Sequence, residues 1–449
     1  MSTHESLEIL SPVTGDLVGW LPMATPGEAV DVLARAREAA RDWARTPAAA
    51  RAGQVRAAAA DLRDRAHELA VVNEAETGRP CAEAQEGILA GAGTLEQYAE
   101  LGPVHRGRSL LGDWTAADLM VPEPRGVVVA LTPWNDPVAV ACGLLGAALV
   151  TGNVVVHKPS ERAPHTGLLL GEILGAHLPA DILTTLVGDG QVGAALVGSE
   201  HVGVVAHVGS CATGRAIAGS VRPGVKVLLE NGGNDPLLID SDVDPEWAAA
   251  QAATGAFANS GQICTSVERI YVHQDIAFDF LDALTVQAEQ TTLAPLVDRR
   301  HREHVHAHVE DALDRGATVA TGGAIPSGPG AYYPATVLTG CSAEMKVMTE
   351  ETFGPVAPVT VVSSFDEGLA MASTGDYGLA ASVLTASMRH AQEAWRELPV
   401  GTVKINAVFG GAPGGAAQPR GASGTGFGYG PELLDEFTTT KVVHIGLPG

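Results

Sequence analysis

Val127-Val-Val-Ala-Leu-Thr-Pro-Trp-Asn-Asp-Pro137, followed by the apolar run Val138-Ala-Val-Ala-Cys-Gly-Leu-Leu-Gly-Ala-Ala-Leu149 and by Val154-Val-Val-His157, is the stretch from which the fold is read. Residues 127–131 and 154–156, the latter followed by His157, are short runs rich in Val and hydrophobic at every position rather than at alternate ones. Such strands are buried on both faces, and the helical run between them supplies the crossover that a parallel pair needs. The alternation continues with a helix at 166–174, a strand at 183–187, a short helix at 193–198 and a strand at 202–208. These residues predict a doubly wound α/β domain. After Glu230 the pattern restarts with a strand at 236–239 and helices at 247–259, 276–289 and 301–314, the last closed by Gly316. A second α/β domain of similar size is therefore expected.

Working outward, Thr25-Pro-Gly-Glu28 combines a capping Thr, a Pro at the first helical position and a Glu three residues on, which marks a helix start. Ala29, Leu33, Ala36, Ala40 and Trp43 follow at helical spacing. Ala-rich segments at 48–77 and 81–101 extend the helical layer, Ser11-Pro-Val-Thr-Gly15 predicts a hairpin turn, and 110–123 and 438–445 are extended. The glycine-rich segment 410–430 is expected to be an ordered loop.

Composition narrows the function. The 449 residues are 46% hydrophobic, 18% charged and only 4% aromatic, so the core rests on Ala, Val and Leu. A formal charge of −24 repels phosphate backbones and anionic membranes, which argues against nucleic acid as a partner. The five cysteines are scattered with no C-x-x-C pair, as expected of reduced thiols. Met1-Ser-Thr-His-Glu-Ser6 offers neither a basic nor an apolar export region, and the apolar run 138–150 is too short to span a bilayer. The expected location is the cytoplasm.

Four motifs carry chemistry. Cys264 lies in the small polar loop Phe257-Ala-Asn-Ser-Gly-Gln-Ile-Cys264-Thr-Ser266, where backbone N–H groups favour a thiolate; alone, it equally suits a buried packing cysteine. Asn135, in a rigid loop between two prolines, can aim its amide at an oxyanion or simply cap a turn. Glu230, ahead of Asn231-Gly-Gly233 at the domain seam, can take a proton from water if its pKa is raised. Lys158 and Glu161, at the carboxyl end of the strand at 154–157, can hold ribose hydroxyls or form a solvated pair. Gly188-Asp-Gly190-Gln-Val-Gly193 matches the dinucleotide pattern, yet lacks the acid expected about twenty residues on. His301, His304 and His308 share a helical face without an H-E-x-x-H arrangement, so no metal is expected. Arg269 can bind an acidic substrate group, though a structural ion pair is the expectation, and Cys142 and Cys211 are expected to pack, with Cys211 near the pyrophosphate.

These motifs occur together and in order: Thr132-Pro-Trp-Asn-Asp-Pro137, Gly152-Asn153, Lys158-Pro-Ser-Glu161, Gly209-Ser210, Glu230-Asn-Gly-Gly233, Gly261-Gln-Ile-Cys264, Glu350-Glu-Thr-Phe-Gly-Pro355 and Ser423-Gly-Thr-Gly426. On them the chain resembles the aldehyde dehydrogenase superfamily over essentially its whole length. The resemblance implies an NAD(P)-dependent, non-acylating oxidation of an aldehyde to a carboxylic acid. It implies Cys264 as nucleophile, Glu230 as base and Asn135 as oxyanion donor. Thr132, Pro133, Trp134, Lys158, Ser160, Glu161, Gly190, Gly209, Ser210, Gly232, Glu351 and Phe353 become the residues expected to hold the cofactor. NAD is favoured over NADP, because Glu161 beside the adenosine ribose would repel a 2′-phosphate. The implied architecture is an NAD-binding domain from 1–103 and 125–231, a catalytic domain from 232–437, and a β arm from 104–124 and 438–449 that builds a homodimer or homotetramer.

The chain also departs from the family pattern. Asn231 follows the base where an apolar residue is usual, Asp136 replaces an aromatic residue, Gly428 stands where many members carry an acid, and His207-Val208 replaces Phe-Thr. Asp136 points to a polar or amine-bearing aldehyde. The alternatives are a coenzyme A-acylating enzyme, which would have no use for Glu230, a non-catalytic scaffold of the same fold, and a cysteine hydrolase, for which no Cys-His-Asn signature is present.

Overall fold

The computed structural model describes residues 5–411, 415, 416 and 418–447. The remaining positions, within the N-terminal hexapeptide, the 410–430 loop and the end of the expected arm, lie outside the described residues. Two sheets organise the chain. The first has six strands in the order Gly424–Thr425, Lys226–Glu230, Val204–Val208, Val127–Thr132, Val154–Pro159, Leu183–Thr185. All its pairings are parallel except that of Gly424–Thr425, which closes one edge antiparallel to Leu229 and Glu230. Val127–Thr132 and Val154–Pro159 are buried at every position, as their uniform apolarity requires.

The second sheet runs Thr318–Thr321, Thr336–Thr339, Val356–Val362, Val267–His273, Asp235–Ile239, Ala380–Leu384, Thr402–Ile405, and only its first pair is antiparallel. Its period-two alternation feeds two cores. Leu237 and Ile239 face the helices Pro245–Phe257 and Ala277–Gln290, while Leu238 faces Val305, Val309 and Leu369. A separate three-stranded sheet pairs Thr438–Ile445 with Ala117–Pro124, and that with Arg108–Leu110.

Most expected elements form. Thr25 caps the helix Pro26–Arg45 with the reciprocal bonds to Glu28 that the spacing predicts, and Ser6–Leu10 pairs antiparallel with Leu17–Pro22 around the expected turn. Three expectations change. The segment 48–77 is two helices, Ala48–Asp64 and Ala66–Thr77, because Arg65 leaves the helical well at φ −98° and ψ 12°. The span 232–437 does not stay with the second sheet: Gly424–Thr425 joins the first, and Leu433, Leu434 and Phe437 are buried in the first core. Arg269 forms no ion pair among the described residues, and instead donates to the backbone carbonyls of Asn234 at 2.8 Å, Thr374 at 3.0 Å and Ala372 at 3.4 Å.

The C-terminal segment is held to the first sheet by Asn153, which is fully buried. Its carbonyl accepts from the Gly126 N–H at 2.9 Å, and its amide donates to Phe437 O at 3.0 Å and Thr151 Oγ1 at 2.9 Å. Each buried group left unpaired costs about 1–3 kcal/mol. Asn153→Ala is therefore expected to lower the thermal unfolding midpoint measurably, and an unchanged midpoint would show that water replaces the amide without loss.

Candidate active site and cofactor cleft

Strand order in the first sheet reverses between Val127–Thr132 and Val204–Val208, and a crevice opens where the chain leaves such a pair in opposite directions. A cleft of about 450 Å³ lies there, at the carboxyl ends of the strands. Of the residues expected to hold the cofactor, Thr132, Pro133, Trp134, Lys158, Ser160, Glu161, Gly190, Gly209 and Ser210 line it; Gly232, Glu351 and Phe353 do not. The Lys158 ammonium is buried and donates to the carbonyls of Gly188 at 2.7 Å and Pro159 at 3.0 Å, which fixes it at the cleft floor. Asp189 caps the helix Gly190–Gly198, and Ser210 caps the helix Cys211–Ser220, whose N-terminus thus opens on the cleft. Polar floor, cationic anchor and helix N-terminus suit a dinucleotide.

Glu230 ends the last parallel strand of the first sheet and Asp235 begins an interior strand of the second, so only Asn231-Gly-Gly-Asn234 separates the two. Carboxyl strand ends of one sheet therefore face amino strand ends of the other. The half-buried Cys264 sits at this junction, in the loop between Pro245–Phe257 and Val267–His273. Asn259 and Ser260 hold left-handed backbone conformations, at φ 47° and 55°, which turn the loop sharply ahead of the cysteine. Asn135 reaches it from the first domain. Its amide nitrogen lies 3.0 Å from the Gln262 carbonyl, which also accepts from Asn259 at 3.2 Å.

The junction is rich in buried carboxyl groups. Burial lifts Glu230 to about 8. Burial also pushes the Cys264 thiol up to about 12, with the negative fields of Asp235, Glu230 and Glu351 adding to it. Asp235 and Glu351 are raised for the same reason, first by burial and then by their acidic neighbours. In this state the thiol is held protonated, and it needs a nearby base or positive charge to react.

Two close approaches explain residue choice. A Cβ on Gly232 would lie 1.9 Å from Glu351 Oε2, and one on Gly428 would lie 2.2 Å from Glu230 Oε1. Glu351 is thus folded beneath the Gly232-Gly233 turn, where its carboxylate accepts from the Gly233 N–H at 3.1 Å. Phe353, at φ 52°, turns instead to Trp134, with ring centroids 5.5 Å apart, and to His301. Sequence reasoning missed the residue that pins this loop. Glu268 is fully buried and accepts from Phe353 N at 2.7 Å, Thr352 N at 2.9 Å and Asn234 Nδ2 at 3.1 Å. An acid at an inward position of a buried strand was the available signal.

The histidine face serves packing: His301 Nε2 meets Phe353 O at 2.7 Å, and His308 Nδ1 meets Thr352 Oγ1 at 3.1 Å. Among the described residues no cluster of three or more His, Cys, Asp or Glu could hold a metal ion, and no helix is long and apolar enough to cross a membrane. Cys142 and Cys211 are buried as expected, the latter 3.7 Å from the Gly232 carbonyl.

Residues 1–443 match the Aldehyde dehydrogenase family. The chain belongs to that family. It is 34% identical over 466 residues to the betaine aldehyde dehydrogenase of Cereibacter sphaeroides, covering 98% of this chain and 94% of that one. Among solved structures it is similar to 3,6-anhydro-L-galactose dehydrogenase in complex with NAP, at TM-score 0.95, 32% identity and coverage of 99% and 97%. It is similar also to lactaldehyde dehydrogenase from Escherichia coli, at TM-score 0.96, 30% identity and coverage of 100% and 97%. The protein is an NAD(P)-dependent aldehyde dehydrogenase with the family's α/β fold.

Within the dehydrogenase the four departures have distinct settings. Asn231 is buried, its amide donating to Ala422 O at 3.0 Å, so it ties the inter-sheet link to the C-terminal segment. Asp136 is paired with Arg79 at 3.1 Å. Gly428 leaves room for the Glu230 carboxyl, and His207 lines the cleft.

Proposed function

We propose that Cys264, Glu230 and Asn135 carry the oxidation, and that the cleft between Lys158 and Ser210 holds the cofactor. The observation behind this is their convergence: residues from three separate segments meet at the one place where the two sheets face end to end. The Cys264 thiol gives its proton to Glu230, which passes it to solvent, as the sulfur adds to the carbonyl carbon, and the Asn135 amide, with the Cys264 backbone N–H, donates to the oxyanion. Each such donor typically lowers the barrier by about 3 kcal/mol. NAD(P)+ held in the cleft between Lys158 and Ser210 would supply the hydride acceptor, and loss of hydride from the tetrahedral carbon leaves an acyl thioester on Cys264. Glu230 then takes a proton from water, which attacks the thioester and releases the carboxylic acid. Because burial holds Glu230 at about 8, its basic form, and with it deacylation, grows as pH rises through that value.

Domain roles follow the same reading: the first sheet with its N-terminal helices binds cofactor, and the second carries Cys264. NAD is the preferred form, since the Glu161 carboxyl lines the cleft near Lys158. The neighbouring Arg162 is engaged by Asp298 at 2.8 Å and by the Trp134 ring, so it does not offset that charge freely. For substrate, the Arg79 pairing neutralises Asp136, which favours hydroxyl-bearing polar aldehydes over amines. The likeness to lactaldehyde and 3,6-anhydro-L-galactose dehydrogenases supports this, while the betaine aldehyde relative supports a cationic substrate. The three-stranded sheet leaves Leu111, Trp114, Val442 and Ile445 exposed, an apolar surface suited to a second copy in a homodimer or homotetramer. Five unpaired thiols favour the cytoplasm, and a disulfide in the purified protein would contradict that location.

Glu230→Gln is expected to give one rapid burst of reduced cofactor per active site and then turnover slowed by about 100-fold. Cys264→Ala should give no burst, and full steady-state turnover in either variant would overturn the mechanism. Across an aldehyde panel run with both cofactors, kcat/KM should favour NAD+ over NADP+ and an α-hydroxyaldehyde over a straight-chain aldehyde by roughly tenfold. Preference for long aliphatic or quaternary ammonium aldehydes would refute the substrate assignment. Light scattering should report an assembly of two or four chains, and a monomer would remove the proposed role of the arm.

A further inference from the structure

His207 lines the cleft and takes no part in the reaction. It stands on Val204–Val208 opposite Leu131, and Leu131 stands opposite Lys158, so the side chains of His207 and Lys158 rise from the same face of the sheet with one strand between them. Both line the cleft. The imidazole is buried, at 7% exposure, and neither ring nitrogen makes a hydrogen bond of good geometry among the described residues, although the Ser210 backbone lies beside it. It also lies directly under the turn that starts the helix Cys211–Ser220: a Cβ on Gly209 would be 2.7 Å from His207 Cε1. An unpaired buried imidazole is unfavourable unless something else satisfies it. Here it adjoins a helix N-terminus, where backbone N–H groups attract anions.

We infer that the His207 imidazole donates a hydrogen bond to the pyrophosphate of the bound dinucleotide, making it a cofactor-binding residue beside Lys158 and Ser210. A neutral imidazole offers one N–H, and a protonated one offers two. Without ligand, burial holds the ring neutral, with a pKa of about 4. A phosphate oxygen favours the protonated form, so binding draws a proton onto the ring as pH falls. Other groups face the same space: Lys158, Glu161, Arg162 and Arg300 line the cleft, Asp189 lies by Lys158, Arg215 lies on the helix above, and Glu230 ends the adjacent strand. Their contribution is common to wild type and variant, so only the difference between the two reports His207.

This rests on the cleft being the dinucleotide site, and the experiment separates the two. Calorimetric titration of the full-length enzyme, without aldehyde, uses NAD+, ADP and adenosine against wild type, His207→Phe, His207→Gln and Lys158→Ala. His207→Phe should weaken NAD+ and ADP by about tenfold and leave adenosine within about twofold. The tightening of NAD+ binding between about pH 8 and about pH 6 should be steeper in wild type than in either His207 variant. The Gln variant, of similar polarity, supplies that comparison should the Phe variant fail to fold. NAD+ affinity unchanged in His207→Phe, an equal loss for adenosine, or an unaltered pH slope in His207→Gln would overturn the inference. If Lys158→Ala also leaves NAD+ binding intact, the cleft assignment itself fails; if Lys158→Ala weakens it and the His207 variants do not, only the role of His207 fails.

Discussion

Four residues, Asn231 to Asn234, carry the chain from the end of one parallel sheet to the start of another, and this short link constrains everything around the site. With no more length than that, the strand ends must face each other closely. Loops from both domains are then forced into one space: Asn135 against Gln262, Glu351 beneath Gly232, and Phe353 against Trp134. The crowding excludes water from several carboxyl groups at once. Their raised affinity for protons, and that of the Cys264 thiol, is the electrostatic consequence of the topology.

Crowding also decides which positions must lack a side chain. Gly232 and Gly428 are each in contact with a carboxyl group rather than with solvent, so an added Cβ would displace Glu351 or Glu230. Gly428 therefore does more than leave a position without a side chain. It opens the volume in which the Glu230 carboxyl rests. Glu268 works in the opposite sense, filling the space behind the 351–353 loop with an acceptor for three donors. Losing it would release the backbone that positions Phe353.

Two charged residues illustrate how a local reading can name a residue without naming its partner. Asp136 is an acid in a loop beside the junction, which suggests a polar or amine-bearing substrate, and Arg79 from a distant helix boundary pairs with it. Arg269 suggests an ion pair, yet its guanidinium gathers backbone carbonyls from 234, 372 and 374. In both cases the partner is far away in sequence. Nothing in the spacing of neighbours encodes it.

The strand and helix alternation, the Thr25 cap, the extended character of 110–123 and 438–445 and the order of the site motifs were all legible in the sequence, because each depends on residues close together in the chain: uniform apolarity for buried parallel strands, Thr25 with Glu28 for a cap, Cys264 within a small polar loop. The return of Gly424–Thr425 and Phe437 to the first sheet, the inward fold of Glu351 and the unpartnered ring of His207 were decided only by tertiary structure. Those features depend on which surfaces meet across hundreds of residues, and burial and distance, not composition or period, determine their chemistry.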